Sequence, residues 1–368
     1  MKGVWIDPAT GTARVEPGVT WGEFNHDLQA FDLGATGGYI STTGVPGLTL
    51  GGGLGWLMSK HGLACDNLRS ADVVTADGRF LRASESENAD LFWGLRGGGG
   101  NFGIVTSFEF RVHPVGTVLA GLLVYPLAAA GELLKRFRAY AQTAPGELTF
   151  GVLLLTAPRA PFVPEPAQGM PVCAITLVYA GPPAEGERVL RPLREFRPPL
   201  VDLVQPMPYA AAQCMADDFF PAGLRHYWKS SYLRSLGDDA INTLVTRFET
   251  VPSPRTIMIV EQLGGAVARI DAEATAFPQR SATFNYLVTS MWPDSEDDEK
   301  NIAWTRALAD AMEPYTSDAA YVNFLGAEGH ERVKSAYGTV RYEQLIAIKN
   351  NYDPTNFFRL NQNIKPAP

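Results

Sequence analysis

Residues 3–15 alternate around Pro8-Ala9-Thr10-Gly11, with Val4-Trp5-Ile6 before the turn and Ala13-Arg14-Val15 after it, a pattern that predicts a β-hairpin. The period then lengthens. Trp21, Phe24, Leu28 and Phe31 fall on one face of a helix over about 20–33, opened by the capping box Thr20-Trp21-Gly22-Glu23 and stopped at Gly34. A second hairpin over 70–82 turns at Asp77-Gly78, Asn88 is placed to cap a short helix through Trp93, and a strand is expected over 104–112.

Beyond His113-Pro114 the alternations become longer. Strands are expected near 119–125, 147–155, 172–179, 255–263 and 283–291, and helices over 129–142, 184–196 and about 296–312, the last opened by Glu296-Asp297-Asp298-Glu299 where the helix dipole favours acids. Strands with helices segregated between them predict an antiparallel sheet covered by helices on one face, an α+β arrangement with a boundary near residue 115. The last segment carries an expected strand Tyr321-Val322-Asn323-Phe324, a helix bearing Leu345, Ile348 and Tyr352 that stops at Asp353-Pro354, and an expected closing strand Asn361-Gln362-Asn363-Ile364.

Composition narrows the function classes. In 368 residues, 36 glycines and 27 prolines exceed the average usage of ~7% and ~5%, which points to tight turns and close backbone approaches. The formal net charge of −8 lacks the electrostatic footprint of a nucleic-acid or anionic-membrane binder, and no apolar run approaches the ~20 residues of a membrane helix. Cys65, Cys173 and Cys214 stand far apart in no metal-ligand spacing, so reduced, buried thiols and no metal site are expected. The start lacks the apolar core of a signal peptide, which implies a cytoplasmic location.

Two glycine clusters carry the candidate chemistry. Gly98-Gly99-Gly100-Asn101-Phe102-Gly103 has the letters of a dinucleotide fingerprint, but that fingerprint must follow a strand and open a helix. Here the expected helix precedes and the strand follows, so NAD in that mode is rejected. The other cluster runs from Gly44-Val45-Pro46-Gly47-Leu48 to Gly51-Gly52-Gly53-Leu54-Gly55; it has no P-loop lysine, yet it offers many unobstructed backbone N–H groups to an extended ligand. Sharp turns alone are the plainer reading of either run by itself.

Taken together, residues 37–53, Gly62-Leu63-Ala64-Cys65-Asp66-Asn67, residues 90–106 and the closing run from Tyr352-Asp353-Pro354 to Ile364 resemble the FAD-linked oxidases of the berberine bridge enzyme and hydroxynicotine oxidase type. The resemblance implies an FAD-binding domain of the p-cresol methylhydroxylase type, with residues 1–115 as its second subdomain. It further implies a substrate domain over 116–317 and a return to the FAD-binding domain over 318–368. FAD would meet Thr43, Gly44, Gly47, Leu48, Gly51 and Gly52 along its ring and ribityl chain, and Gly103, Ile104 and Val105 at its adenine end. Asn361 and Asn363 would close the cofactor site.

That family has an N-terminal subdomain before the hairpin at 3–15, and it supplies a pyrophosphate loop and a histidine joined to the flavin. The sequence in hand opens at the hairpin, and none of its five histidines matches the linking position; Ile40 stands where some relatives have a linking cysteine. Weak FAD retention is the expectation for these residues alone, with a non-catalytic ligand-binding remnant as the alternative to an oxidase.

The implied reaction takes a hydride from an alcohol or amine carbon of a small-molecule substrate, with O₂ as electron acceptor. A base must take the substrate proton, and Tyr321 is the candidate. An ordinary tyrosine titrates near ~10, so it needs a neighbouring donor, for which Asn323 is placed. A tyrosine packing on the sheet is the plainer alternative. In the second domain Glu261 or Gln262, and Asn285 or Tyr286, have alternate faces of their strands to offer the flavin, and periodicity does not choose between them. Lys229 is expected to be a surface or structural residue.

Overall fold

The computed structural model describes residues 1–367. The first hairpin forms as expected, Val4–Asp7 against Thr12–Val15, and extends into a five-stranded antiparallel sheet in the order Val4–Asp7, Thr12–Val15, Ile104–Arg111, Leu68–Val74, Phe80–Ser84. The helix Trp21–Gln29 carries the capping box: Thr20 Oγ1 accepts from Glu23 N–H, and the Glu23 carboxylate accepts from Thr20 N–H at 2.9 Å. It buries Trp21, Phe24 and Leu28 against Phe110. Phe31 departs from the expectation and is half exposed, because the helix ends at Gln29 and the backbone turns left-handed at Asp32. Asn88 also differs: at φ 47° it makes no cap, and its amide instead donates to the Arg82 carbonyl at 2.7 Å.

The larger sheet is antiparallel throughout, in the order Val201–Asp202, Thr117–Pro126, Pro171–Tyr179, Leu148–Thr156, Ile257–Gln262, Phe284–Trp292, Arg225–Leu233. One face packs Phe150, Val152, Ile175, Val260, Tyr286 and Val288 against the helices Ala130–Ala141, Pro183–Arg194, Asp238–Phe248 and Asp298–Met312. This is the helix-covered sheet the alternation predicts. The opposite face looks toward the glycine-rich segment of the first module.

The last residues return to the first module. Val333, Tyr337, Tyr342, Leu345, Ile348, Tyr352 and Ile364 share one apolar core with Trp21, Phe92, Phe102 and Phe110. Neither short strand expected here forms: Val322–Phe324 is a single 3₁₀ turn, and 361–364 is irregular backbone. Beside the two-stranded pairing of Leu33–Gly34 with His113–Pro114, the rings of His61 and His113 stack at 3.7 Å and 13°. Cys65 and Cys173 are buried, whereas Cys214 is exposed on the turn after the helix Tyr209–Gln213, against expectation. Among the described residues no helix is long and apolar enough to cross a membrane, and no group of His, Cys, Asp and Glu is arranged to hold a metal ion.

Candidate functional site

The turn at Gly52 and Gly53 sets the centre of the site. Both residues take positive φ, 130° and 98°, which glycine adopts at little cost. A Cβ would drive Gly52 into Phe277 and Gly53 into Ala64. The turn aims the N–H groups of Gly53 and Leu54 at the Tyr321 oxygen, at 2.8 and 3.3 Å. Asn323 adds a third donor: its Nδ2 gives one hydrogen to Tyr321 Oη at 2.8 Å and the other to the Leu48 carbonyl at 3.0 Å. The 3₁₀ turn therefore brings Tyr321 and Asn323 together just as a strand would have done. Burial pushes the Tyr321 phenol above its ordinary value, while the three N–H donors pull the other way.

Across from this turn, the larger sheet resolves the choice of faces. Tyr232, Asn285 and Glu261 are direct cross-strand neighbours on three adjacent strands and point toward the glycine-rich segment. Glu261 accepts from Tyr39 Oη at 2.7 Å and from Asn285 Nδ2 at 2.8 Å, and Ser230 Oγ fixes the Asn285 amide by donating to its Oδ1 at 3.1 Å. Burial pushes the Glu261 carboxyl up, opposed by the two donors. Gln262 and Tyr286 lie on the helix side instead: Gln262 donates to the Ala141 carbonyl at 2.7 Å, and Tyr286 packs in the helix-facing core. Lys229 forms an ion pair with Glu328 at 2.7 Å, the structural role expected of it.

The residues expected to hold FAD fall into three groups. Gly44 and Gly47 are exposed at the start of the helix Val45–Leu50, with no protein atom within 3.7 Å of where a Cβ would stand on either, and Thr43 and Leu48 flank them half-buried. An open trough of about 710 Å³ reaches Ser41 and Thr42, just before them in the chain, and is lined further by Lys2, Thr20, Glu23 and His26, with none of the residues expected to hold FAD in its wall. Gly51 is different, because a Cβ there would strike Asn323. At the second cluster a Cβ on Gly103 would meet Val73 and the Val74 carbonyl, so strand packing alone explains that glycine; Ile104 is 56% exposed and Val105 is buried. Asn361 donates to the Gly100 carbonyl at 2.8 Å, and the Oδ1 of Asn363 is buried with no partner among the described residues. The open approach at Gly44 and Gly47 and the unpartnered acceptor at Asn363 are features that an extended, ring-bearing cofactor fits.

Two buried charge pairs escape a reading of spacing. Lys349 Nζ donates to Asp353 at 2.6 Å, the Asn101 carbonyl at 2.9 Å and the Phe358 carbonyl at 2.9 Å. Asn101 in turn donates to Gly98 and Gln362 carbonyls and accepts from Ile364 N–H, so the second glycine cluster and the closing segment are interlocked. Arg280 holds Asp66 through both carboxylate oxygens, at 2.8 and 2.6 Å, with both side chains almost fully buried. The i,i+4 spacing of Lys349 and Asp353 is visible in sequence, but nothing there distinguishes a buried pair from a solvated one.

Comparison with known proteins gives a consistent result. A family model described as FAD binding domain matches residues 1–84, and one described as berberine and berberine like matches residues 320–365. An FAD-linked oxidoreductase of Dictyostelium discoideum is 32% identical over 370 residues, an alignment spanning 100% of this chain and 78% of the relative. The 6-hydroxy-D-nicotine oxidase of Arthrobacter nicotinovorans superposes with a TM-score of 0.88 at 25% identity, covering 100% of this chain and 81% of that one. The xylooligosaccharide oxidase of Myceliophthora thermophila superposes with a TM-score of 0.85 at 25% identity, covering 100% and 81%.

Proposed function

Because the chain belongs to the FAD-linked oxidoreductases of the berberine bridge enzyme type, we propose that it oxidises an alcohol or amine carbon of a small organic molecule, with Tyr321 taking the substrate proton. In this reading residues 1–115 and 318–368 bind FAD, and 116–317 form the substrate side. FAD, when bound, supplies the two-electron acceptor for the hydride and passes the electrons to O₂, giving H₂O₂.

The observation that carries the proton role is the donor count at Tyr321. A phenol oxygen that keeps its hydrogen has two lone pairs to offer, yet three N–H groups point at this one. The three donors lower the cost of the phenolate that burial raises, and it is as the phenolate that this oxygen would accept the substrate O–H or N–H proton as the C–H bond gives up its hydride. Asn323 acts as a positioning residue, held at its other hydrogen by Leu48. Thr43, Gly44, Gly47 and Leu48 would bind the cofactor's ring and chain, Gly51 and Gly52 would keep the turn beneath it, and Gly103, Ile104, Val105, Asn361 and Asn363 would serve the adenine end and closing edge.

Reconstitution with FAD, followed by anaerobic mixing with a panel of alcohols and amines, tests the reading. Bleaching of the flavin absorbance by at least one of them, and H₂O₂ release on admitting air, are expected. A protein that takes up no FAD, or whose bound flavin no alcohol or amine reduces, would overturn it.

A further inference from the structure

Glu261 is a buried carboxylate whose hydrogen-bond partners, Tyr39 and Asn285, are both neutral. No cation among the described residues pairs with it, and Arg280, whose charge reaches its neighbour Tyr232, is spent on Asp66. Burial pushes this carboxyl toward its neutral form, so holding it as the carboxylate makes an electrostatic demand that a cation brought by a bound molecule would meet. Its row neighbour Tyr232 has a buried hydroxyl with no partner among the described residues. A bound molecule that brings a positively charged nitrogen would answer the first demand and can answer the second through a polar atom beside it.

The floor next to this polar row has the opposite character. One row along, the same face presents Leu287, Ile259, Leu153 and Ala174 side by side on four adjacent strands, with Ser230 at the edge already bonded to Asn285. Ile259 and Leu153 are only partly buried, and with Ala174 they belong to an apolar cluster that also holds Val163, Phe219 and Phe220. A sugar chain needs hydrogen-bonding partners along its length, and this row supplies almost none; an apolar carbon skeleton needs only the surface itself.

We infer that the substrate is an amine with an apolar body, its nitrogen docked on Glu261 and its carbon skeleton laid over Leu287, Ile259 and Leu153. This rests on the oxidoreductase reading and selects, within it, amines over alcohols and sugars. The test is anaerobic titration calorimetry on the FAD-loaded protein with three probes: 4-phenylbutylamine, 4-phenylbutanol and xylobiose. The amine should bind at least tenfold tighter than the alcohol, and xylobiose should bind weakest. Glu261→Gln should abolish the difference between amine and alcohol, while Ile259→Thr should weaken both several-fold through the lost apolar contact. Equal or tighter binding of the alcohol, or xylobiose matching the amine, would overturn the assignment. Failure to take up FAD would instead overturn the oxidoreductase reading, and the same three titrations on that protein would still decide between amine, alcohol and sugar.

Discussion

Asn323 donates one amide hydrogen to the Tyr321 oxygen and the other to the Leu48 carbonyl, so the group proposed as proton acceptor is tied through a single side chain to the segment expected to carry the flavin. Tyr321→Phe keeps the ring contacts with Phe277 and Phe324 and loses only the oxygen. The variant is expected to fold and to bind FAD, with flavin reduction slowed by about 10²–10⁴-fold. Anaerobic stopped-flow measures it; an unchanged rate removes Tyr321 from the mechanism.

Gly47 and Gly51 separate cofactor approach from packing. Gly47→Val adds its side chain into open space, so the melting temperature should hold while FAD affinity falls. Gly51→Val collides with Asn323 and should lower both. Comparing thermal melts with flavin content after dialysis distinguishes them. Full flavin content in a folded Gly47→Val protein would contradict the proposed approach.

Much of the local structure was legible because several signals agreed. At Thr20 a cap, an acid three residues on and a 3.6-residue apolar period coincide, and the helix forms there. Around Asn361-Gln362-Asn363-Ile364 only the alternation spoke for a strand. The backbone there is directed by Asn101 and the polar contacts of distant carbonyls, which no local window contains. The choice of Glu261 over Gln262 likewise required knowing which sheet face the helices cover, a fact that belongs to the tertiary arrangement. Phe31 keeps the apolar period yet lies beyond Gln29, where the helix stops, and a period does not mark that point.

Lys349 and Asp353 are both fully buried, and each depends on the other for its charge. Lys349→Met leaves the Asp353 carboxylate without its cation, and a loss of about 3–5 kcal/mol is expected for such a broken pair. Chemical denaturation gives the value. A loss under about 1 kcal/mol would mean the carboxylate escapes to water or takes up a proton at little cost.

The stacked imidazoles predict acid sensitivity. Burial, followed by neighbouring positive groups, pushes His61 down to about 3 and His113 down to about 4 from an ordinary 6.5. The unfolded chain therefore binds protons at these rings before the folded one does, so their stabilisation is complete above about pH 6.5 and falls away as the pH drops toward 4 and below. The difference in denaturation midpoint between pH 7 and pH 5 should shrink in His113→Gln. If the wild-type and variant differences coincide, His113 does not contribute to the acid limb.

The clasp between Asn101 and Lys349 also constrains the order in which the molecule can be made. Lys349 lies 248 residues after Asn101, an interval that a ribosome adding ~5–20 residues per second takes about 12–50 s to traverse. Throughout that time the second glycine cluster has been synthesised and its partners in the closing segment, Lys349, Asn361, Gln362 and Ile364, have not. The larger sheet, whose strands are all in place by Trp292, can close before the first module is fastened. The cofactor-facing half of the protein is thus the last to become rigid, and a nascent chain remains accessible at that surface until its final helix emerges.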